Sequence, residues 1–196
     1  MEEPILIAVS GAPGTGKTTL GRRLAADLRL PYIAKDLIKE SLFDSLGTKD
    51  REWSVKLGIA SIKLLFELIE GQLEAGRSLV AESNYRREYD VPRFELFLQR
   101  YAFGMVEVHC KTERQVLFSR LEGRSDSGER HAGHSDKEVF GELDEALRQG
   151  AFDPLALGEV IVVDTTDFAQ VEYHATLSAV RVAAGLSASA EIDATI

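Results

Sequence analysis

Short apolar runs alternate with longer stretches of helical period along this chain. Residues 5–9 (Ile-Leu-Ile-Ala-Val), 78–81, 105–110 and 160–163 are mainly apolar and of strand length, and 32–34 is a shorter run introduced by Pro31. Between and beyond them, residues 17–28, 36–46, 51–75, 92–101, 112–123, 135–147 and 168–184 read as helices. The longest carries Trp53, Leu57, Ala60, Leu64 and Leu68 on one stripe, widened by Ile59, Ile62, Phe66, Ile69 and Leu73, and Gly76 ends it. So broad a face predicts a helix packed on more than one side. Pro92 predicts the start of its helix, and Ser135-Asp136-Lys137-Glu138 is a capping-box pattern that opens another. Five strands alternating with helices predict an α/β fold with a parallel sheet covered on both faces. One domain is expected over residues 1–185, followed by a small-residue tail, 186–196, expected to be disordered.

Residues 124–134 break the pattern. They are polar, contain Gly and Ser, and have no apolar period, so they predict a mobile loop that could serve as a lid.

The phosphate chemistry enters with Gly11-Ala12-Pro13-Gly14-Thr15-Gly16-Lys17-Thr18-Thr19, which fits G-x-x-x-x-G-K-[ST] directly after the first apolar run. Its glycines allow close approach of the backbone, so that successive amide N–H groups can converge on a polyphosphate. Lys17 is placed to reach β- and γ-phosphates, Thr18 to offer a hydroxyl to Mg²⁺, and the helix starting near Lys17 aims its positive dipole end at the same anion. The fold class becomes a three-layer α/β/α P-loop NTPase with a five-stranded parallel sheet and a small lid.

In an open parallel sheet, ligands sit beyond the carboxyl ends of the strands. The residues there are Lys35-Asp36 after the second run, Glu82-Ser83-Asn84 after the third, Lys111-Thr112 after the fourth and Asp164-Thr165-Thr166 after the fifth. Asp36 can be a general base toward an attacking hydroxyl, a ligand of Mg²⁺ through water, or an N-cap for the next helix. Glu82 can contact Mg²⁺ or orient the nucleophile, and Asn84 and Arg86 are candidate substrate contacts. Arg120 and Arg124 share a helix face beside the polar loop that also carries Arg130, and guanidinium groups there would offset charge on a transferred phosphoryl group. His131 and His134 lack further ligands at metal-binding spacing, and His109, inside an apolar run, reads as a satisfied core residue.

Composition narrows the partners. The net charge of −9 over 196 residues argues against an extended nucleic-acid surface, although a small basic cleft is compatible with it. Cys110 is the sole cysteine, the amino-terminal apolar stretch follows two glutamates, and no uncharged run reaches 18 residues. The expectation is a soluble cytoplasmic protein without a membrane partner. Oligomeric state is left open, a homodimer included.

With these residues in view, nearly the whole chain resembles the P-loop kinases of the nucleoside monophosphate kinase-like group, in particular the AAA_33 set of ATP-binding kinases. The resemblance is carried by residues 11–19, by Lys35-Asp36, by Arg120-Leu121-Glu122-Gly123-Arg124 leading into Gly128-Glu129-Arg130-His131, and by Val162-Val163-Asp164-Thr165-Thr166. It implies ATP as donor and a hydroxyl or phosphate as acceptor. It also implies that Arg120 stacks on adenine, Arg124 contacts phosphates and Asp36 is the acid near the acceptor. The third strand ends in Glu82 where many members carry aspartate. The function expected is ATP-dependent phosphoryl transfer to a hydroxyl of a small molecule. The alternatives are a kinase of a nucleotide or nucleic-acid 5′-hydroxyl end, and a nucleotide-dependent ATPase switch.

Overall fold

All five apolar runs lie in one parallel sheet, in a computed structural model that describes residues 3–127 and 140–186, with the backbone alone over 124–127. The strands are β1 (Ile5–Ser10), β2 (Tyr32–Ala34), β3 (Leu79–Glu82), β4 (Gly104–Lys111) and β5 (Glu159–Asp164), in the spatial order β2-β3-β1-β4-β5. The described helices are α1 (Lys17–Leu28), α2 (Lys35–Leu46), α3 (Arg51–Glu74), α4 (Arg87–Arg100), α5 (Arg114–Ser127), α6 (Phe140–Arg148) and α7 (Tyr173–Ala183). The first strand is therefore central, with Ala8 level with Ala81 on one side and Glu107 on the other.

Alternation along the strands sends successive side chains to opposite faces. Leu6, Ala8, Leu79, Ala81 and Met105 meet Leu65, Phe66, Ile69 and Leu73 of α3 and Phe94 and Phe97 of α4. On the other face Ile7, Val9, Val80, Val108 and Cys110 meet Leu20 and Leu24 of α1 and Leu177 and Val180 of α7. A third cluster packs Ala12, just after β1, against Leu117, Leu121, Leu143 and Phe152. It joins the phosphate loop to the helices on either side of residues 128–139.

Several boundaries differ from expectation. Helix α4 starts at Arg87 and carries Pro92 inside it; the Asp90 carboxylate receives the Arg86 amide at 2.7 Å and so starts the helix upstream of the proline. Helix α5 continues through Arg124 to Ser127, so residues 124–127 are helical rather than the start of a loop. Residues 168–170 form a 3₁₀ turn capped by Asp167, and α7 begins at Tyr173. In α3 the buried stripe runs through Leu57, Ser61, Leu65, Ile69 and Leu73, whereas Ile59, Leu64 and Leu68 are exposed. Ser61 donates its hydroxyl to Leu57 O at 2.6 Å, which lets a polar residue occupy the core stripe that hydrophobicity alone assigns elsewhere. The predicted capping box at 135–138, the remainder of the lid and the tail from 187 lie outside the described residues.

Candidate functional site

Residues 11–16 leave the end of β1 in a turn that two glycines make sterically feasible. Gly11 has φ +127°, and a Cβ there would fall 2.2 Å from the Cys110 carbonyl oxygen. Gly16 has φ +79°, and a Cβ there would fall 2.0 Å from Phe168 Cζ. Inside the turn, Thr15 Oγ1 and Lys17 Nζ both donate to Ala12 O at 2.8 Å. Burial lowers the Lys17 pKa, opposed by the carboxylates of Glu82 and Asp36 and by Cys110. From outside, Thr165 Oγ1 lies 2.7 Å from Thr15 O and 2.9 Å from Lys111 O, which ties the loop to the ends of β4 and β5.

Thr18 opens α1 beside this loop, and its hydroxyl donates to Glu82 Oε2 at 3.0 Å. Tyr32 of β2 donates to the same oxygen at 2.7 Å. Glu82 is buried at the end of β3. A hydroxyl and a carboxylate are hard oxygen donors that suit Mg²⁺, which takes one or two protein oxygens and completes its octahedron with water and phosphate. The donor set therefore fits that ion. Among the described residues there is no group of three or more His, Cys, Asp or Glu that would form an all-protein metal cage.

Asp36 sits in the first turn of α2, whose N-cap is Ala34. The N-cap alternative is thus excluded: the helix begins one residue before Asp36, directly off β2. Its carboxylate lies 3.3 Å from Lys35 Nζ and is partly exposed. Asn84 is half-buried and Arg86 exposed in the segment after β3, with the Arg86 guanidinium 5.2 Å from the centre of the Phe152 ring. Burial raises the Asp90 pKa, opposed by the bond from the Arg86 amide and by nearby Arg93, Arg86 and Lys35.

Arg120 lies at the other end of the loop. Its Nη2 donates to Thr165 O at 2.7 Å and Thr166 O at 3.0 Å, and its guanidinium is 5.0 Å from the Phe168 ring centre. Nη1 is buried and has no hydrogen-bond partner among the described residues. An orphaned charged donor is costly to leave unmade, so this atom marks a position where a ligand acceptor would be stabilised. The Arg124 side chain and all of Arg130, His131 and His134 lie outside the described residues.

Sequence reasoning missed a polar cluster under the loop. Ser10 donates to the fully buried Glu107 at 2.5 Å, that carboxylate also accepts from the Leu155 and Ala156 amides, each at 3.0 Å, and His109 Nδ1 lies 3.9 Å from it. Ser10 Oγ is also 2.9 Å from His109 Nδ1. With the serine proton on Glu107, the network assigns a proton to Nδ1. Burial lowers the His109 pKa, opposed by Glu107 and Asp153. His109 is satisfied in the core, as its place in an apolar run implied. Glu107 left no signal except a charge inside that run.

Comparison with known proteins agrees with this geometry. The chain matches the AAA_33 family, described as an AAA domain, over residues 6–149. It is 30% identical over 144 residues to the adenylate kinase isoenzyme 6 homolog of Caenorhabditis elegans, covering 73% of this chain and 72% of that protein. A protein of Halobacterium salinarum named "putative adenylate kinase" is 29% identical over 176 residues, covering 89% and 88%. The crystal structure of a "putative kinase" from Chloroflexus aurantiacus superposes with TM-score 0.86 at 38% identity, covering 93% of this chain and 99% of that one. A phosphate loop at the end of a central parallel strand, a carboxylate at the end of the neighbouring strand and a family match across most of the sequence converge: this chain belongs to the AAA_33 family and is a P-loop protein of the nucleoside monophosphate kinase-like group.

Proposed function

We propose that the protein is an ATP-dependent phosphotransferase that moves the γ-phosphoryl group of ATP to a hydroxyl of a small molecule. The observation that carries this reading is the convergence of Lys17, Thr18 and Glu82 at the mouth of the glycine loop, with Asp36 close enough to act on the Lys17 ammonium. The kinase names of the relatives support it.

ATP would lie with its phosphates along the amides of residues 11–18 and its base near Arg120, Thr165 and Phe168. Lys17 exchanges its bond to the Ala12 carbonyl for the β- and γ-phosphate oxygens. Arg120 uses its orphaned Nη1 on the nucleotide, and Arg124 and Arg130 act on the phosphates. Thr18 and Glu82 would hold Mg²⁺, which would neutralise charge on the phosphate oxygens. The acceptor hydroxyl, oriented by Asn84 and Arg86, attacks the γ-phosphorus as the bond to the β,γ-bridging oxygen breaks. Asp36 accepts the hydroxyl proton, and ADP leaves.

Release of ADP, measured against a panel of alcohols, nucleosides, nucleoside monophosphates, antibiotics and oligonucleotide ends, tests the reading. Release that depends on one acceptor class, with a phosphorylated product of the matching mass, is expected. Hydrolysis indifferent to every acceptor would instead identify an ATPase switch.

A further inference from the structure

We propose that Tyr32 is a positioning residue for the divalent cation, acting through Glu82 on Thr18. The proposal rests on the nucleotide and metal assignment above and adds a residue that neither the loop motif nor the strand-end carboxylate identifies.

Three features carry it. First, Tyr32 and Glu82 are on neighbouring strands, with Tyr32 level with Val80 and Ala34 level with Glu82. The ring projects to the α1 side, where it packs with Val9, Leu20 and Val80. Second, its hydroxyl donates to Glu82 Oε2 at 2.7 Å, the same atom that receives the Thr18 hydroxyl at 3.0 Å. Two donors on one oxygen fix the plane of the carboxylate and leave Oε1 to accept from a metal-bound water. They also fix where the Thr18 proton points. A threonine whose proton is committed to Glu82 turns its lone pairs outward, which is the orientation a cation needs from a hydroxyl ligand.

Third, the helix makes room for the ring. Gly21 lies one turn beyond Thr18 on α1, and a Cβ there would come 3.1 Å from Tyr32 Cε2.

Tyr32→Phe removes the hydroxyl and keeps the ring. The test measures Mn²⁺ affinity of the ADP complex by electron paramagnetic resonance, together with ADP affinity in EDTA, for the wild type, Tyr32→Phe, Glu82→Gln and the double variant. Loss of an outer partner of a metal ligand weakens metal binding about tenfold or more. Tyr32→Phe is therefore expected to weaken Mn²⁺ binding about tenfold while leaving metal-free ADP affinity unchanged, and to add nothing in the Glu82→Gln background. Unchanged Mn²⁺ affinity in Tyr32→Phe overturns the proposal. So does an equal loss of metal-free ADP affinity, which would make Tyr32 a packing residue, or full additivity in the double variant. None of these outcomes touches phosphoryl transfer itself, which stands or falls on acceptor-dependent ADP release.

Discussion

Ser10, the last residue of β1, gives its hydroxyl proton to Glu107 at 2.5 Å, so the strand that launches the phosphate loop is bolted to a carboxylate with no solvent exposure. That carboxylate also gathers the amides of Leu155 and Ala156. Glu107→Ala removes the acceptor of three donors, of which the Leu155 amide and the Ser10 hydroxyl are buried and the Ala156 amide only partly so, and it is expected to cost about 2–4 kcal/mol of folding stability. Urea unfolding with an unchanged m-value checks this, and a loss below about 0.5 kcal/mol would mean that water replaces the carboxylate.

Lys17→Ala is expected to lower phosphoryl transfer by at least about 10²-fold while the fold persists, because the loop backbone is also held by Thr15 and Thr165. Acceptor-dependent ADP release and circular dichroism, measured on the same preparation, separate the two effects. Near-normal turnover with an unaltered spectrum would remove Lys17 from the phosphate site.

Asp36→Asn preserves shape and removes the carboxylate proposed as the base. Since Asp36 stands at the start of α2 and contributes no N-cap, folding is expected to be little affected, while kcat falls about 10²-fold or more with little change in ATP affinity. Equal losses in affinity and turnover would reassign Asp36 to the metal.

His109 gives a pH signature. Burial holds its pKa below the ordinary 6.5, so as pH falls through that value the unfolded chain takes up a proton that the folded protein resists. Stability contributed by the neutral ring is present above pH 6.5 and lost below it, with a slope of at most about 1.4 kcal/mol per pH unit. The wild type is therefore expected to lose ground to His109→Gln between about pH 7 and pH 5 in paired denaturation curves. Parallel pH dependence in the two proteins would refute the assignment.

What could be read from the sequence follows a physical rule. Strands buried on both faces announce themselves as apolar runs, and the glycine loop is a local pattern whose steric demands at Gly11 and Gly16 are written in residue type. Thr18, Lys17 and Glu82 were legible because motif and strand end each fixed a position. The Tyr32 bond was not, since it joins residues 50 apart through a strand register that only folding creates. Glu107 was hidden for a similar reason: its amide partners come from an irregular segment 48 and 49 residues away. Pro92 misled because the Asp90 carboxylate starts α4 upstream of it, and the α3 stripe misled because Ser61 is buried in place of more apolar neighbours.

The place of β1 has a consequence for the order in which the chain can acquire structure. Its hydrogen-bonded neighbours are β3 and β4, so the backbone of residues 5–10 has no strand to pair with until residues 79–82 exist, and none on its other edge until residues 104–111 do. During synthesis this apolar segment must wait for residue 82 to complete its first partner strand and for residue 111 to complete its second. The glycine loop hangs from that segment and rests on Cys110 of β4 and on Thr165, which comes later still in the chain. Nucleotide affinity should therefore appear only near the end of folding, which makes ligand capture by nascent or refolding chains a sensitive clock for completion of the sheet.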